Sequence, residues 1–274
     1  MAKIPLEDSF SDIIGKAQRG LKISDAELAK LAEVSVSDLK LVKQGEVNDA
    51  VIRRVSRHLK LNPNLVEELA HKQWYPDQPT FPHGFAMFNT VYEDMTVNSY
   101  LIWDGRSKEA AIFDTGADAT DLLALVTAER LQVTYIFLTH AHDDHIAALD
   151  PIIAQTKAQA WINEKEGYTH PGVRPFKDNV HFHIGNLAIK AIGTPGHSPG
   201  QTTFYVTGLS WPLAFVGDAI FAASMGGSLE HYMEQHTNDE QRILSLPRDT
   251  VLAPGHGPLT TVGQEKRHNA FFSR

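Results

Sequence analysis

The sequence predicts an α/β protein preceded by a small all-α domain. From Phe85 onward, short apolar runs alternate with amphipathic stretches, whereas residues 1–72 carry helical periodicity alone. Between them, residues 73–84 place Pro76, Pro79 and Pro82 among Trp74, Tyr75 and Phe81, a stiff linker expected to pack on one domain. The expected division is therefore 1–72, 73–84 and 85–274, and 274 residues suffice for one large domain and a small one. A charged fraction of 21% fits a soluble globular chain. No apolar run approaches the ~20 residues a membrane span requires. The first residues lack a secretory pattern, and the absence of Cys rules out disulfides and thiolate ligands, so the expected location is the cytoplasm. Residues 1–75 carry 12 Lys and Arg against 11 Asp and Glu, a net +1; residues 76–274 carry 13 against 22, a net −9. So acidic a main portion argues against a polyanionic substrate such as RNA.

The leading region reads as short helices. Ser24-Asp25-Ala26-Glu27 has the form of a capping box ahead of Leu28, Leu31 and Ala32. Ser35 opens a second helix with Leu39 and Val42 inward, ending near Gly45. Asn48 caps a third carrying Val51, Ile52, Val55 and Leu59, and Asn62-Pro63 starts a fourth. Two short helices joined by a tight turn resemble the helix-turn-helix domain of the phage-repressor type. Net +1 is little charge for neutralising phosphates, so docking or homodimer formation is favoured over DNA as its role.

The main portion reads as strands at Phe85–Met87, Ser99–Trp103, Ala110–Phe113, Tyr135–Leu138, Ala160–Ile162, Leu187–Ile192, Leu213–Val216 and Val251–Ala253. Helices are expected at Ala119–Arg130, at 144 to about 154, at about 238–245 and from Val262 to about Phe271. Strand, helix, strand around Ala119–Arg130 has the order of a βαβ unit.

After the fourth of these strands comes Thr139-His140-Ala141-His142-Asp143-Asp144-His145, three imidazoles and two carboxylates on a loop leaving a strand's C-terminal end. Alternate side chains of an extended segment point the same way, so His140 and His142 reach one ion, while Asp144 and His145 face a second. Imidazole and carboxylate suit zinc, iron or manganese. His197, Asp218 and His256 each follow a glycine just beyond an apolar run, where the chain turns sharply and presents one side chain inward. His170 lacks that setting and reads as a loop residue. Asp114 ends the third strand.

His-x-His-x-Asp-His followed by Gly-His, Gly-Asp and Gly-His resembles the metallo-β-lactamase fold superfamily from about Phe85 to the C-terminus. The resemblance implies a four-layer αβ/βα sandwich and two divalent ions, zinc first with iron or manganese as alternatives. It assigns His140, His142 and His197 to one ion and Asp144, His145 and His256 to the other, with Asp218 bridging, and Asp114 supporting the loop from behind. The implied reaction is hydrolysis of an ester-like bond by a metal-bridging hydroxide, with Asp144 and Asp218 in catalytic positions. The best-known zinc lactamases carry Cys where Asp218 stands, so β-lactams are not the expected substrate.

The stretch from Gly255-His256-Gly257-Pro258 through Thr260, Gly263-Gln264-Glu265 and Asn269 resembles the C-terminal signature of short glyoxalase II-type enzymes. That implies a small thioester substrate, held by Tyr168, Arg174 and Lys177 after the fifth strand and by Lys266 and Arg267 on the last helix. The alternatives are a hydrolase of lactones or phosphoesters, a mononuclear iron persulfide dioxygenase on the His140, His197 and Asp218 positions, and a DNA-binding regulator whose metal domain senses a ligand.

Overall fold

The computed structural model describes residues 3–273. Five helices come first: α1 (Phe10–Gly20), α2 (Asp25–Leu31), α3 (Val36–Lys43), α4 (Asp49–His58) and α5 (Pro63–Ala70). The predicted caps at Ser24, Ser35, Asn48 and Asn62 each accept a backbone N–H of the following turn. α1 was not among the expected helices, although Ser9 and Asp12 close a capping box at its start. Its apolar side, Phe10, Ile13, Ile14 and Ala17, is buried against α5 and α3.

Two six-stranded sheets follow. The first holds β1 (Phe85–Tyr92), β2 (Met95–Trp103), β3 (Glu109–Phe113), β4 (Gln132–Phe137), β5 (Gln159–Asn163) and β6 (Val173–Phe176) in that order. β1 to β3 run antiparallel and β3 to β6 parallel. α6 (Thr120–Ala128) makes the crossover from β3 to the parallel β4, as the βαβ pattern requires. β1 and β2 extend well past the apolar runs that announced them: the far half of β1 is largely solvent-facing, that of β2 carries the buried polar Asn98, and the two are joined by a turn at Glu93, whose φ of 52° is left-handed.

The second sheet has the order β14-β13-β10-β9-β8-β7. Its strands are β7 (His181–Ile184), β8 (Leu187–Gly193), β9 (Thr202–Thr207), β10 (Leu213–Gly217), β13 (Val251–Pro254) and β14 (Thr260–Thr261). A separate hairpin, β11 (Ile220–Phe221) with β12 (Ser224–Met225), leaves the end of β10.

Aromatic residues fill the space between the sheets. Phe113 stacks on Phe215 at 3.7 Å, and Phe137, Phe204 and Phe182 pack beside them. The outer face of the first sheet is covered by α6, the short α7 (Asp143–Ile146) and α8 (Leu149–Thr156). The outer face of the second is covered by the turn after α9 (Tyr232–Asn238) and by α10 (Val262–His268). The molecule is thus the expected four-layer αβ/βα sandwich behind a helical region.

Three helices also differ from the reading above. The helix expected at 144 to about 154 is two helices, because Pro151 has no N–H for the Ala147 carbonyl; the chain breaks there and Ala148 N bonds to Thr115 Oγ1 instead. α9 starts six residues earlier than expected and passes into a π-helical turn, Asp239–Ile243. α10 stops at His268 because the Asn269 side chain bonds to Ser224 O and Glu265, turning Ala270 and Phe271 inward.

The helical region and the sandwich share a boundary of apolar packing. The core of α1 to α5 continues into Ala223, Met225, Tyr232, Ala270 and Phe271. The Pro-rich stretch lies along the sandwich: Trp74 stacks on His268, Asp77 N bonds to Gln264, and Gln78 donates to Leu259 O.

Candidate metal centre

Sites on such sheets form where strands end, and here four strand ends converge. The loop after β4 carries His140 to His145, the turn after β8 carries His197, and Asp218 and His256 follow β10 and β13. Glycines make the convergence sterically feasible. A Cβ on Gly255 would fall 2.1 Å from Asp218 Oδ1 and 2.5 Å from His145 Cε1. At Gly217, φ is +48° and a Cβ would meet Thr139 Oγ1 at 2.4 Å.

Three groups of donor atoms result, each within 4.8 Å of one another: His140, His142 and His197; His140, His145 and Asp218; Asp144, His145 and His256. Asp218 sits between them, with Oδ1 at 3.2 Å from His145 Nε2 and Oδ2 at 3.5 and 3.4 Å from His197 and His256. Asp144 Oδ2 is 3.2 Å from His256 Nε2.

The other ring nitrogens are already committed. His145 Nδ1 donates to Asp114 Oδ2 at 2.9 Å, His256 Nδ1 to Thr96 O at 2.7 Å, and His197 Nδ1 to Gly227 O at 2.9 Å. Thr139 Oγ1 gives its proton to Asp114 Oδ2 at 2.8 Å and so accepts from His140 Nδ1 at 3.0 Å. Each of these four rings therefore turns Nε2 towards the cluster, the nitrogen a bound cation would take, and His197 Nε2 lies 3.1 Å from His142 Nδ1. His140 Nε2, His145 Nε2 and Asp218 Oδ1 are buried without a hydrogen-bond partner, although they lie within a few ångströms of one another. Buried polar atoms are rarely left so, and a cation would satisfy them together. The residues fit a metal site.

The charges agree. Burial depresses His140 well below its usual range and lowers His197, leaving neutral rings. Burial opposes a charge on Asp218, but His256 and His145 outweigh it and keep the carboxyl ionised. Burial likewise opposes protonation of His145 and His256, yet Asp218 with Asp114, and Asp218 with Asp144, push them up to about 10 and about 11. The paired carboxylates demand positive charge, which protons supply when cations do not.

Asp114 reaches both halves, taking Thr139 N and Thr139 Oγ1 at 2.8 Å as well as His145. Glu166 was not singled out in the sequence, where it reads as one charge in Glu164-Lys165-Glu166. Its carboxylate accepts Ala141 N at 3.0 Å, Ser198 Oγ at 2.5 Å and Gly200 N at 2.6 Å, tying the His140 loop to the His197 turn. His170 stands apart and bonds to Asp150 at 3.0 Å.

The five residues named for substrate contact are not brought together. Tyr168 is half-buried, and its phenol is raised by burial and by the charges of Asp150 and Asp143. Arg174 and Lys177 are exposed at and beyond β6, the edge strand. Lys266 and Arg267 are exposed on α10. Among the described residues, none of these four cationic side chains makes an ion pair.

Two facing sheets with clustered His and Asp donors at their ends define a class of metal-dependent hydrolases. The chain belongs to the Metallo-beta-lactamase superfamily, whose family model matches residues 92–256. It is 29% identical over 199 residues to the hydroxyacylglutathione hydrolase GloC of Haemophilus influenzae, covering 64% of this chain and 92% of that one. The solved structure of the B3 metallo-beta-lactamase BLEG-1 superposes with a TM-score of 0.57 at 29% identity, covering 69% of this chain and 100% of that one. TTHA1623, solved in a di-iron-bound form, gives a TM-score of 0.54 at 28% identity, covering 67% and 99%. The protein is a hydrolase of this superfamily with glyoxalase II-like relatives. The helix-turn-helix resemblance lies outside the matched residues.

Proposed function

We propose that the protein is a two-metal hydrolase of a small thioester or related ester. The observation that carries this reading is the second donor group. Asp144, His145 and His256 converge as fully as His140, His142 and His197, which a mononuclear iron dioxygenase would not require. One ion would be held by His140, His142 and His197, the other by Asp144, His145 and His256, with Asp218 between them. Ions bound there would supply Lewis-acid polarisation of the scissile carbonyl and a water acidified towards neutrality. The chain itself fixes the donors: Asp114 sets the tautomers of His145 and, through Thr139, of His140, while Glu166 holds the two loops in register. The name of the GloC relative supports a thioester, and the BLEG-1 likeness places a β-lactam among the compounds to test.

The helical region is read as a docking or dimerisation element. Three cations of the helices are held by the protein itself: Lys43 pairs with Asp25, Arg53 with Glu67, and Arg54 bonds to Glu33 O. Leu31, Val36, Leu41 and Val47 are exposed on it.

Elemental analysis should give two ions per chain. A turnover panel of S-lactoylglutathione, an acyl-homoserine lactone, a phosphodiester and a β-lactam on metal-replete protein should favour the thioester. One iron per chain, or preference for the phosphodiester, would overturn the reading.

A further inference from the structure

We propose that the N-terminal arm, residues 5–8, is a wall of the active site and that Glu7 is its selectivity group, favouring substrates whose leaving thiol carries an ammonium group. The proposal rests on the hydrolase reading above.

The arm is fixed against the metal centre from two sides. On one, Ser224 Oγ donates to Asp8 Oδ2 at 2.6 Å and Lys16 Nζ to the same oxygen at 2.5 Å. Lys16 also donates to Met225 O at 3.0 Å and lies 4.9 Å over the ring of Phe221, whose centroid is 5.7 Å from that of the His256 ring, edge to face. The arm is thereby anchored to the β11–β12 hairpin that leaves the Asp218 strand. On the other side it meets the residue next to His256. A Cβ on Gly257 would come within 3.2 Å of Glu7 N, 3.5 Å of Glu7 Cβ and 3.6 Å of Pro5 O.

Glu7 is half-buried there and has no hydrogen bond or ion pair among the described residues. Its neighbour Asp8 takes the Lys16 ammonium. Burial raises the Glu7 carboxyl, while the charges of His256, Asp8, Lys16 and Asp218 all act on it. A carboxylate held partly out of water without a partner is costly, and a cationic ligand relieves that cost. Asp143, exposed beside the ligand Asp144, adds a second carboxylate without an ion pair. The cations that would receive an anionic thiol carrier, Arg174, Lys177, Lys266 and Arg267, are exposed on a sheet edge and on α10. The unpaired groups around the centre are acidic, and they select at the end of the substrate that the metals do not hold.

The test uses full-length, metal-replete protein and two thioesters of one acyl group, on N,N,N-trimethylcysteamine, whose quaternary ammonium cannot take the acyl group from sulfur, and on thioglycolate. Wild type should show a KM about tenfold lower for the trimethylcysteamine ester, the effect of one close contact between opposite charges. Glu7→Gln should bring the ratio to within about twofold of unity, and Glu7→Lys should invert it. Calorimetric binding of free cysteamine and thioglycolate should shift in the same sense. Thioester turnover with one KM ratio in all three proteins would overturn the proposal. If no thioester turns over, the hydrolase reading fails, and the thiol-binding ratios alone decide: a ratio that follows Glu7 upholds the wall, and an unchanged ratio overturns it.

Discussion

Replacing Asp114 by Asn should cost metal affinity without disturbing the backbone. Asp114 has a left-handed φ of 53°, a region that Asn tolerates nearly as well as any non-glycine residue, so Asn isolates the hydrogen bonding as Ala would not. The retained oxygen can still accept Thr139 N. The new amide NH2 then faces Thr139 Oγ1 and His145 Nδ1, both of which donate to the carboxylate. To avoid two opposed donors, His145 must move its proton to Nε2, and Thr139 must turn its hydroxyl towards His140. Both shifts remove lone pairs from the metal centre. Loss of such an outer partner lowers metal affinity ~10–100-fold, and each tenfold step is about 1.4 kcal/mol. Competition with a chromophoric chelator measures the affinity, and thermal unfolding with and without metal measures its coupling to stability. Wild-type affinity in this variant would refute the tautomer argument.

Asp218→Ala removes the carboxylate shared by every half of the centre; metal content should fall below two ions per chain and turnover by at least about a hundredfold, read by elemental analysis and steady-state rates. Glu166→Gln puts an amide NH2 among three donors, so it should lose about 1.5–3 kcal/mol of stability per opposed charged bond and reduce kcat more than KM, checked by denaturant unfolding and kinetics. In Glu265, burial outweighs the bonds from Thr260, Asn269 and Ala223 and lifts the carboxyl to about 7. Because the folded value exceeds the unfolded one, its favourable contribution is full below the unfolded pKa and is lost as pH rises through about 7. Glu265→Gln cannot titrate, so its stability should change by about 3 kcal/mol less than wild type between pH 4 and 8, seen in urea titrations across that range. Parallel pH profiles would contradict the burial argument.

The clustering of these His and Asp side chains was legible because groups gathered at strand ends leave a compact local signature. His140, His142, Asp144 and His145 fall within six residues, and His197, Asp218 and His256 each sit one residue after a glycine. The glycines were legible as turns, but at Gly255 the binding reason is room for Asp218 and His145 rather than a turn. Glu166 was not legible, since a carboxylate that accepts backbone N–H groups 25 and 34 residues away and a hydroxyl 32 residues away leaves no local pattern. The far halves of β1 and β2 were missed because polar residues interrupt the apolar run there, Asn89 and Thr90 on β1 and Thr96 and the buried Asn98 on β2.

The relation between the helical region and the sandwich was the least legible feature, for a physical reason. Periodicity reports which side of a helix is apolar, not what covers it. Ala223, Met225, Tyr232, Ala270 and Phe271 carry no sign in the sequence that their partners lie some two hundred residues earlier. The Pro-rich connection was expected to pack on one domain, and it lies along the sandwich because Trp74, the Asp77 N–H and the Gln78 amide find partners there. The contact between the two regions is specific: Asp8 takes Ser224 Oγ and Lys16 Nζ, Lys16 also reaches the Met225 carbonyl of the hairpin that follows Asp218, and the arm lies against Gly257, so side chains far apart in the sequence are joined by polar as well as apolar packing.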